Sequence, residues 1–434
     1  MRKNRYCDPA LETLDRAMLR RRQGRRLQKL VQQLLDSNRF YQRKLRSAGL
    51  RRPVPISRLS DLPFTTKGEL VADHQEHPPF GSNLTFPLEQ YNRMHQTSGT
   101  TGAPVRWLDT PESWQSYLRQ WQHVYTGAGV GRGDRVFVAF SFGPFIGFWG
   151  AFDAAHQMGC LAITGGGQTT EQRLFMIRDT HPTVLVCTPT YALRLAEAAQ
   201  SIGLDTRALG IRTTIHAGEP GAGIPSTRAR IQELYAARAY DHCGMTEMGA
   251  YGFECRHQLG LHVNEGDFIL EVIDPQTLEP VEEGRRGEIV LTNLERAGSP
   301  VIRYRTGDLA EASTKRCACG RTYSLLRGGL LGRADDMITV RGINVFPSSI
   351  ENILRRFPEV VEFQGEVVME REMAELLLRL ETAGLEPGQQ EQFADRVVAA
   401  IRAGLHLRPA IEFAPPGSLP RTEMKSHRFR SAQS

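Results

Sequence analysis

A short loop near residue 100 combines hydroxyl side chains with glycine. In the stretch HQTSGTTGAP, Ser98, Thr100 and Thr101 are interleaved with Gly99 and Gly102. Phosphate oxygens accept hydrogen bonds, and such a loop offers backbone N–H groups and hydroxyls at close range. Glycine lets the backbone approach a ligand without a Cβ clash. The Lys-Ser/Thr pair that ends a Walker loop is absent, so the composition indicates either a phosphate-binding loop of another kind or an ordinary turn.

Three further segments carry residues that suit a nucleotide. Glu247, with Thr246 in YDHCGMTEMG, is the kind of carboxylate that holds Mg²⁺ together with phosphate oxygens. Asp308, in RYRTGDL, can accept hydrogen bonds from two vicinal hydroxyls such as those of a ribose. Lys425, in LPRTEMKSHRFR, is a cation near the end of the chain. Taken alone, Glu247 could lie in a solvated loop, Asp308 in a turn and Lys425 in an exposed tail. The interpretation therefore depends on the order of these segments along the chain.

Cysteine and histidine residues in two segments indicate a metal site. ECRHQLGLHVNE and KRCACGRTY supply Cys255, His257, His262, Cys317 and Cys319. One histidine and three cysteines can form a tetrahedral Cys₃His zinc site, and the favoured set is Cys255, His262, Cys317 and Cys319. Zinc would then be structural because all four positions are taken by protein ligands. The alternative is reduced cysteines in a turn.

The middle of the chain alternates short apolar runs with helical segments. DRVFVAFSF, CLAITGG, PTVLVCTP and IRTTIHAGEP predict strands that end in small residues, and TEQRLFMIRDT and ALRLAEAAQSI predict helices between them. This alternation predicts an α/β domain of several layers with binding loops at the C-terminal ends of the strands. FILEVIDPQTLEPV and GEIVLTNL predict a β-rich subdomain. A small α+β domain follows, in which Ser348 and Glu351 have the spacing of a capping box and a helix covers 391–405.

The composition is that of an ordinary folded protein, with 40% hydrophobic and 24% charged residues among 434. Residues 1–58 hold 17 Lys and Arg against four Asp and Glu, with leucines spaced as on amphipathic helices. We interpret this segment as a basic helical arm, and the lack of a stacking pattern argues against nucleic acid as a partner. No apolar run approaches the roughly 18 residues of a membrane span, and no secretory signal is evident. A cytoplasmic protein with no membrane partner is therefore expected.

In this order the motifs resemble the AMP-forming adenylating superfamily of acyl-CoA synthetases, most closely its phenylacetate-CoA ligase branch. The segments that carry the resemblance are LPFTTKGEL, TSGTTGAP, TPTYALRLAE, AGEP, GMTE, GLHVNEGDFILEVIDP, VIRYRTGDL, CACGRT, GRADDMITVRGINVFPSSIE and PRTEMK. The resemblance implies a large N-terminal ATP- and acyl-binding domain over 1–332, which includes the arm, and a small mobile C-terminal domain over 333–434. The hinge between them would lie at Asp335.

The same resemblance implies an activity and its cofactors. A carboxylic acid, expected to be an aryl acid, would react with ATP to give an acyl-adenylate and pyrophosphate, and coenzyme A would then form the thioester. Lys425 would bridge the carboxylate and the α-phosphate, while Glu247, beside Thr246, would hold Mg²⁺. The implied ATP-binding residues are Ser98, Gly99, Thr100, Thr101, Gly102, Lys67, Gly218, Glu219, Asp308 and Arg333.

The acyl pocket and three departures from the branch pattern bear on the substrate. FSFGPFIGFWG aligns with the acyl-pocket segment of the family and offers three aromatic rings, Phe142, Phe145 and Phe148, although plain core residues are the alternative. Ala103 stands where Lys is frequent. Gly221 replaces a Trp, and Cys243 replaces the ring that stacks on adenine. These changes predict weaker ATP binding or a substitute surface.

Two alternatives and the oligomeric state stay open at this point. An adenylating enzyme could pass its acyl group to a carrier-protein thiol or an amine, in which case it would not require coenzyme A. A non-catalytic, zinc-stabilised protein could instead bind polyanions through residues 1–58, and it would catalyse no carboxylate-dependent exchange of pyrophosphate into ATP. A homodimer is compatible with the sequence.

Overall fold

The three-dimensional structure is a computed structural model that describes residues 6–97, 104–334, 337–340, 343–370, 373–420 and 428–430. Its helices are α1 Pro9–Glu12, α2 Arg16–Ser37, α3 Arg39–Ser47, α4 Lys67–Glu76, α5 Pro111–Gly127, α6 Ile146–Gln157, α7 Thr170–Thr180, α8 Pro189–Ser201, α9 Pro225–Tyr235, α10 Pro347–Leu354 and α11 Gln390–Leu405. Thr66 and Thr169 are the N-cap residues of α4 and α7, and each forms a capping box that satisfies backbone donors that the helix leaves free.

The strands of the large domain are β1 Arg93–Gln96, β2 Arg106–Asp109, β3 Arg135–Val138, β4 Leu161–Thr164, β5 Val184–Cys187, β6 Thr213–His216, β7 Arg238–Met245, β8 Gly249–Glu254, β9 Gly260–Val263, β10 Phe268–Ile273, β11 Arg286–Asn293, β12 Tyr304–Ser313, β13 Leu325–Arg327 and β14 Gly332–Arg333. The strands that follow are β15 Ile338–Val340, β16 Ile343–Val345, β17 Val360–Glu370, β18 Met373–Thr382, β19 Ala410–Ala414 and β20 Phe429–Arg430.

A large mixed sheet organises the N-terminal part of the chain. Its strand order is β10-β11-β12-β13-β9-β8-β7-β6-β5-β3-β4, and β14 pairs with β12. Strands β3 to β7 run parallel, with helices between them, as the alternating sequence pattern predicted. From β7 onward the pairing is antiparallel, which is the predicted β-rich region. Parallel strands place their C-terminal ends, and the loops that follow, at one edge of the sheet.

The basic arm packs its apolar side onto the β-rich region. Leu27, Leu34 and Tyr41 of α2 and α3 are buried in one cluster with Ile289 and Leu291 of β11. This packing explains the amphipathic spacing of the arm, because the leucines cover the sheet and many of the arginines remain at the surface. In the part of the chain that the structure covers, no helix has both the length and the apolarity needed to cross a bilayer.

The small C-terminal domain has a four-stranded sheet in the order β19-β18-β17-β20 and a separate β15–β16 hairpin. Helices α10 and α11 cover its core, which includes Ile350 and Val397. The capping box predicted from Ser348 and Glu351 was wrong. Helix α10 begins at Pro347, after Phe346 and without a side-chain cap, and Ser348 Oγ instead donates to the carbonyl oxygen of Leu331 at 3.0 Å.

Candidate functional site

Two loops meet at the C-terminal edge of the parallel strands. Strand β5 leads into α8, and β6 leads into the loop that contains Gly218 and Glu219. The backbone N–H of Thr190 in the first turn of α8 donates to Oε1 of Glu219 at 2.9 Å, which joins the two loops. Gly218 has a φ of +96°, a conformation that other residues rarely adopt. The predicted residues Gly218 and Glu219 therefore lie at the sheet edge where ligands bind in such folds.

Two side chains hold the loop between β7 and β8 by hydrogen bonds to its carbonyl oxygens. Arg296 donates to the carbonyl oxygen of Thr246 at 2.7 Å, and Asn293 donates to that of Met248 at 2.6 Å. Arg296 also forms a bidentate ion pair with Asp109 at 2.9 and 2.7 Å, and the two side chains are 1% and 0% exposed. A buried guanidinium with a bidentate carboxylate partner is held in one orientation, and it therefore fixes the carbonyl group of Thr246.

Two tyrosines orient the predicted carboxylates. Tyr304 donates to Oε1 of Glu247 at 3.3 Å, and Glu247 is only 5% exposed. Tyr251 donates to Oδ2 of Asp308 at 3.1 Å. Arg333 lies opposite Asp308 in the β12–β14 pair, with its Nη1 3.4 Å from Oδ1. The sequence analysis did not single out Tyr251 or Tyr304, although Tyr304 is part of the RYRTGDL motif.

The segment that carries Lys67 runs beside β12. Thr65 donates its N–H to the carbonyl oxygen of Arg303 at 3.0 Å and accepts from the N–H of Arg305 at 2.9 Å. Lys67 follows as the first residue of α4 and is half-buried. This pairing brings the Lys67 segment to the strand that carries Tyr304 and Asp308.

The three predicted pocket aromatics have different surroundings. Phe148 is 6% exposed and stacks on Phe140, with 3.8 Å between the ring centroids. Phe142 and Phe145 are half-buried, and Phe142 contacts the ring of Trp149 edge-on at 4.9 Å. Phe148 is thus packed in the core, whereas Phe142 and Phe145 retain surface that a ligand can contact.

The structure accounts for two departures from the family pattern. A methyl group built on Gly221 would lie 2.3 Å from Cβ of Pro189, so a larger residue there requires a different backbone. Cys243 is buried opposite Gly252 of β8, where an added methyl group would lie 2.2 Å from its Sγ. Burial raises the pKa of the Cys243 thiol, which therefore stays neutral.

Asp241, two residues before Cys243, is an acid that the sequence analysis did not identify. Removal from water, and next the charge of Glu254, raise its pKa to about 8, while Arg228 acts in the opposite direction. A methyl group built on Gly223 would lie 2.7 Å from Oδ2 of Asp241. A residue larger than glycine at position 223 would therefore crowd this carboxyl group, and the raised pKa favours its protonated form.

The four predicted metal ligands come together in the described part of the chain. The ligand atoms of Cys255, His262, Cys317 and Cys319 all lie within 4.8 Å of one another, and all four residues are buried. The two sulfurs of Cys255 and Cys317 are 3.9 Å apart, and Cys319 Sγ is 3.5 Å from His262 Nε2. A tetrahedral zinc ion with Zn–S bonds of about 2.3 Å requires sulfurs about 3.8 Å apart. The geometry therefore fits zinc, and His257 is not part of the cluster.

The three thiols of this cluster differ in pKa: those of Cys317 and Cys319 are lowered, whereas the hydrogen bond with Cys319 and burial raise that of Cys255. A hydrogen bond from His262 lowers the pKa of the Cys317 thiol. For Cys319, the hydrogen bond from Cys255 lowers the thiol pKa, and His262 adds to this effect. Thiolates are the form that binds metal ions. The cluster also contacts the N-terminal arm, because Tyr6 donates to the carbonyl oxygen of Cys319 at 2.7 Å.

Several predicted residues lie outside the described part of the chain. They are Ser98, Gly99, Thr100, Thr101, Gly102, Ala103, Asp335 and Lys425. The roles predicted for them, and for the described site residues, stay predictions.

Family models and known proteins match the chain over most of its length. A model described as AMP-binding enzyme matches residues 68–294, and one described as AMP-binding enzyme C-terminal domain matches residues 342–432. The chain is 33% identical over 439 residues to a phenylacetate-coenzyme A ligase of Thermus thermophilus, which covers 96% of each chain. It is 30% identical to a phenylacetate-coenzyme A ligase of Escherichia coli strain K12, over 98% of this chain and 97% of that protein.

Solved structures of a 2-hydroxyisobutyryl-CoA ligase resemble the whole chain. In the postadenylation state, in complex with 2-HIB-AMP, that ligase matches with a TM-score of 0.93 at 30% identity, over 100% of this chain and 94% of that chain. The same ligase in the thioesterification state, with 2-HIB-AMP and CoA, gives a TM-score of 0.74 at 31% identity, over 99% and 93%.

Proposed function

The chain belongs to the AMP-binding enzymes, and from this premise we propose that it is an AMP-forming acid–thiol ligase. It activates a carboxylic acid with ATP and transfers the acyl group to coenzyme A. The observation that carries the proposal is the grouping of Glu247, Asp308 and Arg333 around Tyr304. The near full-length relatedness to coenzyme A ligases supports the same activity.

In the first step, a carboxylate oxygen of the acid attacks the α-phosphorus of ATP. The bond from the α-phosphorus to the bridging oxygen breaks, and pyrophosphate leaves with that oxygen and its electron pair. We assign the phosphates to the loop of 98–102 and to Lys67, the ribose hydroxyls to Asp308 and Arg333, and the adenine edge to Gly218 and Glu219. These groups act by position and charge, which is the main requirement of phosphoryl chemistry.

Lys425 and Glu247 supply charge at the reacting phosphate. We assign Lys425 to the oxygens of the carboxylate and the α-phosphate, where an ammonium group offsets the negative charge of both reactants. A magnesium ion would be held by Glu247 beside Thr246, and it would neutralise phosphate charge. Tyr304 keeps the carboxylate of Glu247 oriented.

In the second step, the thiolate of coenzyme A attacks the carbonyl carbon of the acyl-adenylate. The carbon–oxygen bond to AMP breaks, AMP leaves with the electron pair, and the thioester remains. The two steps need different partners at one carbonyl group. We assign the exchange to a rotation of the small domain about Asp335, since domain movement can gate successive steps without changing the main scaffold.

An aryl acid is the proposed substrate. The half-buried rings of Phe142 and Phe145 offer the apolar contacts that an aromatic ring needs, and the phenylacetate-coenzyme A ligases among the relatives support this class. A small branched hydroxy acid is the competing class, because the ligase with the solved structures acts on one.

We further propose that Cys255, His262, Cys317 and Cys319 hold a structural zinc ion. The mutual distances of the ligand atoms support this site. The ion would have no open coordination position and so would take no part in catalysis. Its role would be to tie β9 to the loop of Cys317 and, through Tyr6, to the arm.

The test of the activity is acid-dependent exchange of pyrophosphate into ATP, measured with a panel of aromatic and aliphatic acids. We expect exchange with at least one aryl acid, and thioester formation only when coenzyme A is added. Product transfer to a carrier protein or an amine without coenzyme A would favour the alternative acceptors. Salt-sensitive binding to a polyanion, with no exchange for any acid, would contradict the enzyme assignment.

A further inference from the structure

A buried arginine of the small domain reaches across to the large domain. Nη2 of Arg428 donates to Oγ1 of Thr190 at 3.1 Å. The same guanidinium forms a bidentate pair with Glu362, at 2.7 and 3.2 Å, and its Nη1 lies 3.6 Å from Oε1 of Glu351. Arg428 therefore combines carboxylate partners in its own domain with one hydroxyl partner in the other domain.

The contact on the large domain lies next to the loop that we assign to the adenine. Thr190 is in the first turn of α8, and its N–H is bonded to Glu219, which we assign to the adenine edge. Burial opposes the charge of Arg428, but Glu351, Glu362 and Glu219 raise its pKa, so that the guanidinium stays charged. Through Thr190 and Glu219, the position of Arg428 is thus coupled to that of the adenine loop.

Arg428 is also close in sequence to the proposed catalytic lysine. It follows Lys425 by three residues in the chain. The carbonyl oxygen of Arg428 accepts from the N–H of Gly365 at 2.7 Å, and Phe429 pairs with Gly365 on β17. The residue that docks on Thr190 is therefore fixed to the small-domain sheet immediately after the Lys425 segment.

The arrangement of the two domains matches one state of the related ligase better than another. The TM-score is 0.93 for its postadenylation state and 0.74 for its thioesterification state, at 30% and 31% identity. If the small domain turns away, Glu362 and Glu351 move with Arg428, whereas Thr190 and Glu219 remain behind. The guanidinium then stays paired, and separation of the domains does not leave a buried charge without a partner.

We infer that Arg428 is a positioning residue that docks the small domain on Thr190 for adenylation and gives up this contact for thioester formation. The inference rests on the proposed function. It requires that loss of the Arg428–Thr190 hydrogen bond impair the first half-reaction and spare the second. A residue that only stabilised the small domain would affect both half-reactions equally.

The test uses Thr190→Val, which removes the hydroxyl and leaves the Arg428–Glu362 pair intact, together with Arg428→Met and the double variant. We expect Thr190→Val to slow acid-dependent exchange of pyrophosphate about tenfold and to leave thioester formation from supplied acyl-adenylate and coenzyme A within twofold. The double variant should be no slower than Arg428→Met, because the hydrogen bond that Thr190→Val removes is already absent in Arg428→Met. Thr180→Val and Arg396→Met are the controls, since their hydroxyl and guanidinium bond within one helix and within the small domain.

Hydrogen exchange of the full-length protein gives a readout that does not depend on activity. We expect the first turn of α8 to exchange faster in Thr190→Val and in Arg428→Met than in the wild type and the two controls. Equal slowing of both half-reactions, or unchanged exchange of pyrophosphate and of α8 amides in Thr190→Val, would overturn the inference. If the wild type catalysed no pyrophosphate exchange, the proposed function would be contradicted instead. Hydrogen exchange of the α8 amides would still test whether Arg428 contacts Thr190.

Discussion

Two buried arginines in this chain support neighbouring parts of the same site in different ways. Arg296 pairs with Asp109 and holds the carbonyl oxygen of Thr246, all within the large domain. Arg428 is paired with a carboxylate of its own domain, Glu362, and it contacts the large domain through the hydroxyl of Thr190. In the first arrangement, separation of Arg296 from Asp109 would leave a buried charge without its partner. The second would keep its charge paired during the domain rotation proposed above, so the contrast distinguishes a fixed part of the site from the part that we propose to move.

The largest effect is expected at Lys425, which the movable part carries. Loss of one charge-stabilising group at a developing transition state costs about 100-fold to 1000-fold in rate. We therefore expect Lys425→Ala to lose adenylation by about that factor while still forming thioester from supplied acyl-adenylate. Lys315→Ala, at an exposed position on the large domain, is the control. Equal loss of both half-reactions would contradict the assigned role.

Arg296→Met tests how much the buried Arg296–Asp109 pair, in the fixed part of the site, contributes to stability. Removal of one partner of a buried ion pair costs about 3–5 kcal/mol, because the other charge stays buried, so we expect a loss of this size in the free energy of unfolding, measured with denaturant. Burial raises the pKa of Asp109, which Arg296 counteracts. Without the arginine, Asp109 can become neutral as the pH falls, so the loss should shrink toward acid pH and grow toward neutral pH.

The control for that change is Arg119→Met, since Arg119 lies 3.6 Å from Glu295 with about half of its side chain exposed. An exposed pair of this kind contributes only about 0–1 kcal/mol. A loss as small for Arg296→Met as for Arg119→Met would mean that the loop of 244–249 does not depend on the buried pair.

The proposed zinc ion would further stabilise the large domain, which carries the fixed part of the site. We expect one zinc ion per chain by metal analysis, and a melting temperature that falls by roughly 10 °C in Cys319→Ser. That shift corresponds to about 3 kcal/mol at 2–4 °C per kcal/mol for a large domain. Cys7→Ser, outside the cluster, should keep both the metal and the melting temperature. Metal-free protein from a purification without chelator would remove the zinc proposal.

The sequence predicted the elements of this fold well because their signals are local. Apolar runs that end in small residues gave β3 to β6, and helix α7 has the predicted bounds at Thr170–Thr180. The Ser348 cap failed because Pro347 can begin a helix without a capping side chain, two residues before the first helical residue that a Ser348 cap requires. The cysteine and histidine residues of two segments likewise predicted the four residues whose ligand atoms cluster in the structure.

Residues that lie outside the motifs and hold the motif residues in position could not be predicted in the same way. Arg296 and Asp109 are 187 positions apart, and their pairing depends on how the sheet folds. Tyr251 is one of many aromatic residues in strands, and only the structure places its hydroxyl on Asp308. Burial and partner identity at such positions follow from tertiary packing, whereas a single sequence reports mainly on neighbours along the chain.

The smallest predicted effect separates the two tyrosines that orient the site carboxylates. A hydrogen bond to a charged group contributes about 1.5–3 kcal/mol when both partners are buried, and less where water can substitute. We expect Tyr251→Phe to raise the KM for ATP about three- to tenfold through Asp308. Tyr304→Phe should instead raise the magnesium concentration required for half-maximal rate, through Glu247. Tyr125→Phe, whose hydroxyl bonds to the carbonyl oxygen of Ala151 in the core, controls for the loss of a buried hydroxyl. If both site variants changed the ATP and magnesium dependence alike, Asp308 and Glu247 would not have the separate roles proposed for them, and the fixed part of the site would act as one unit.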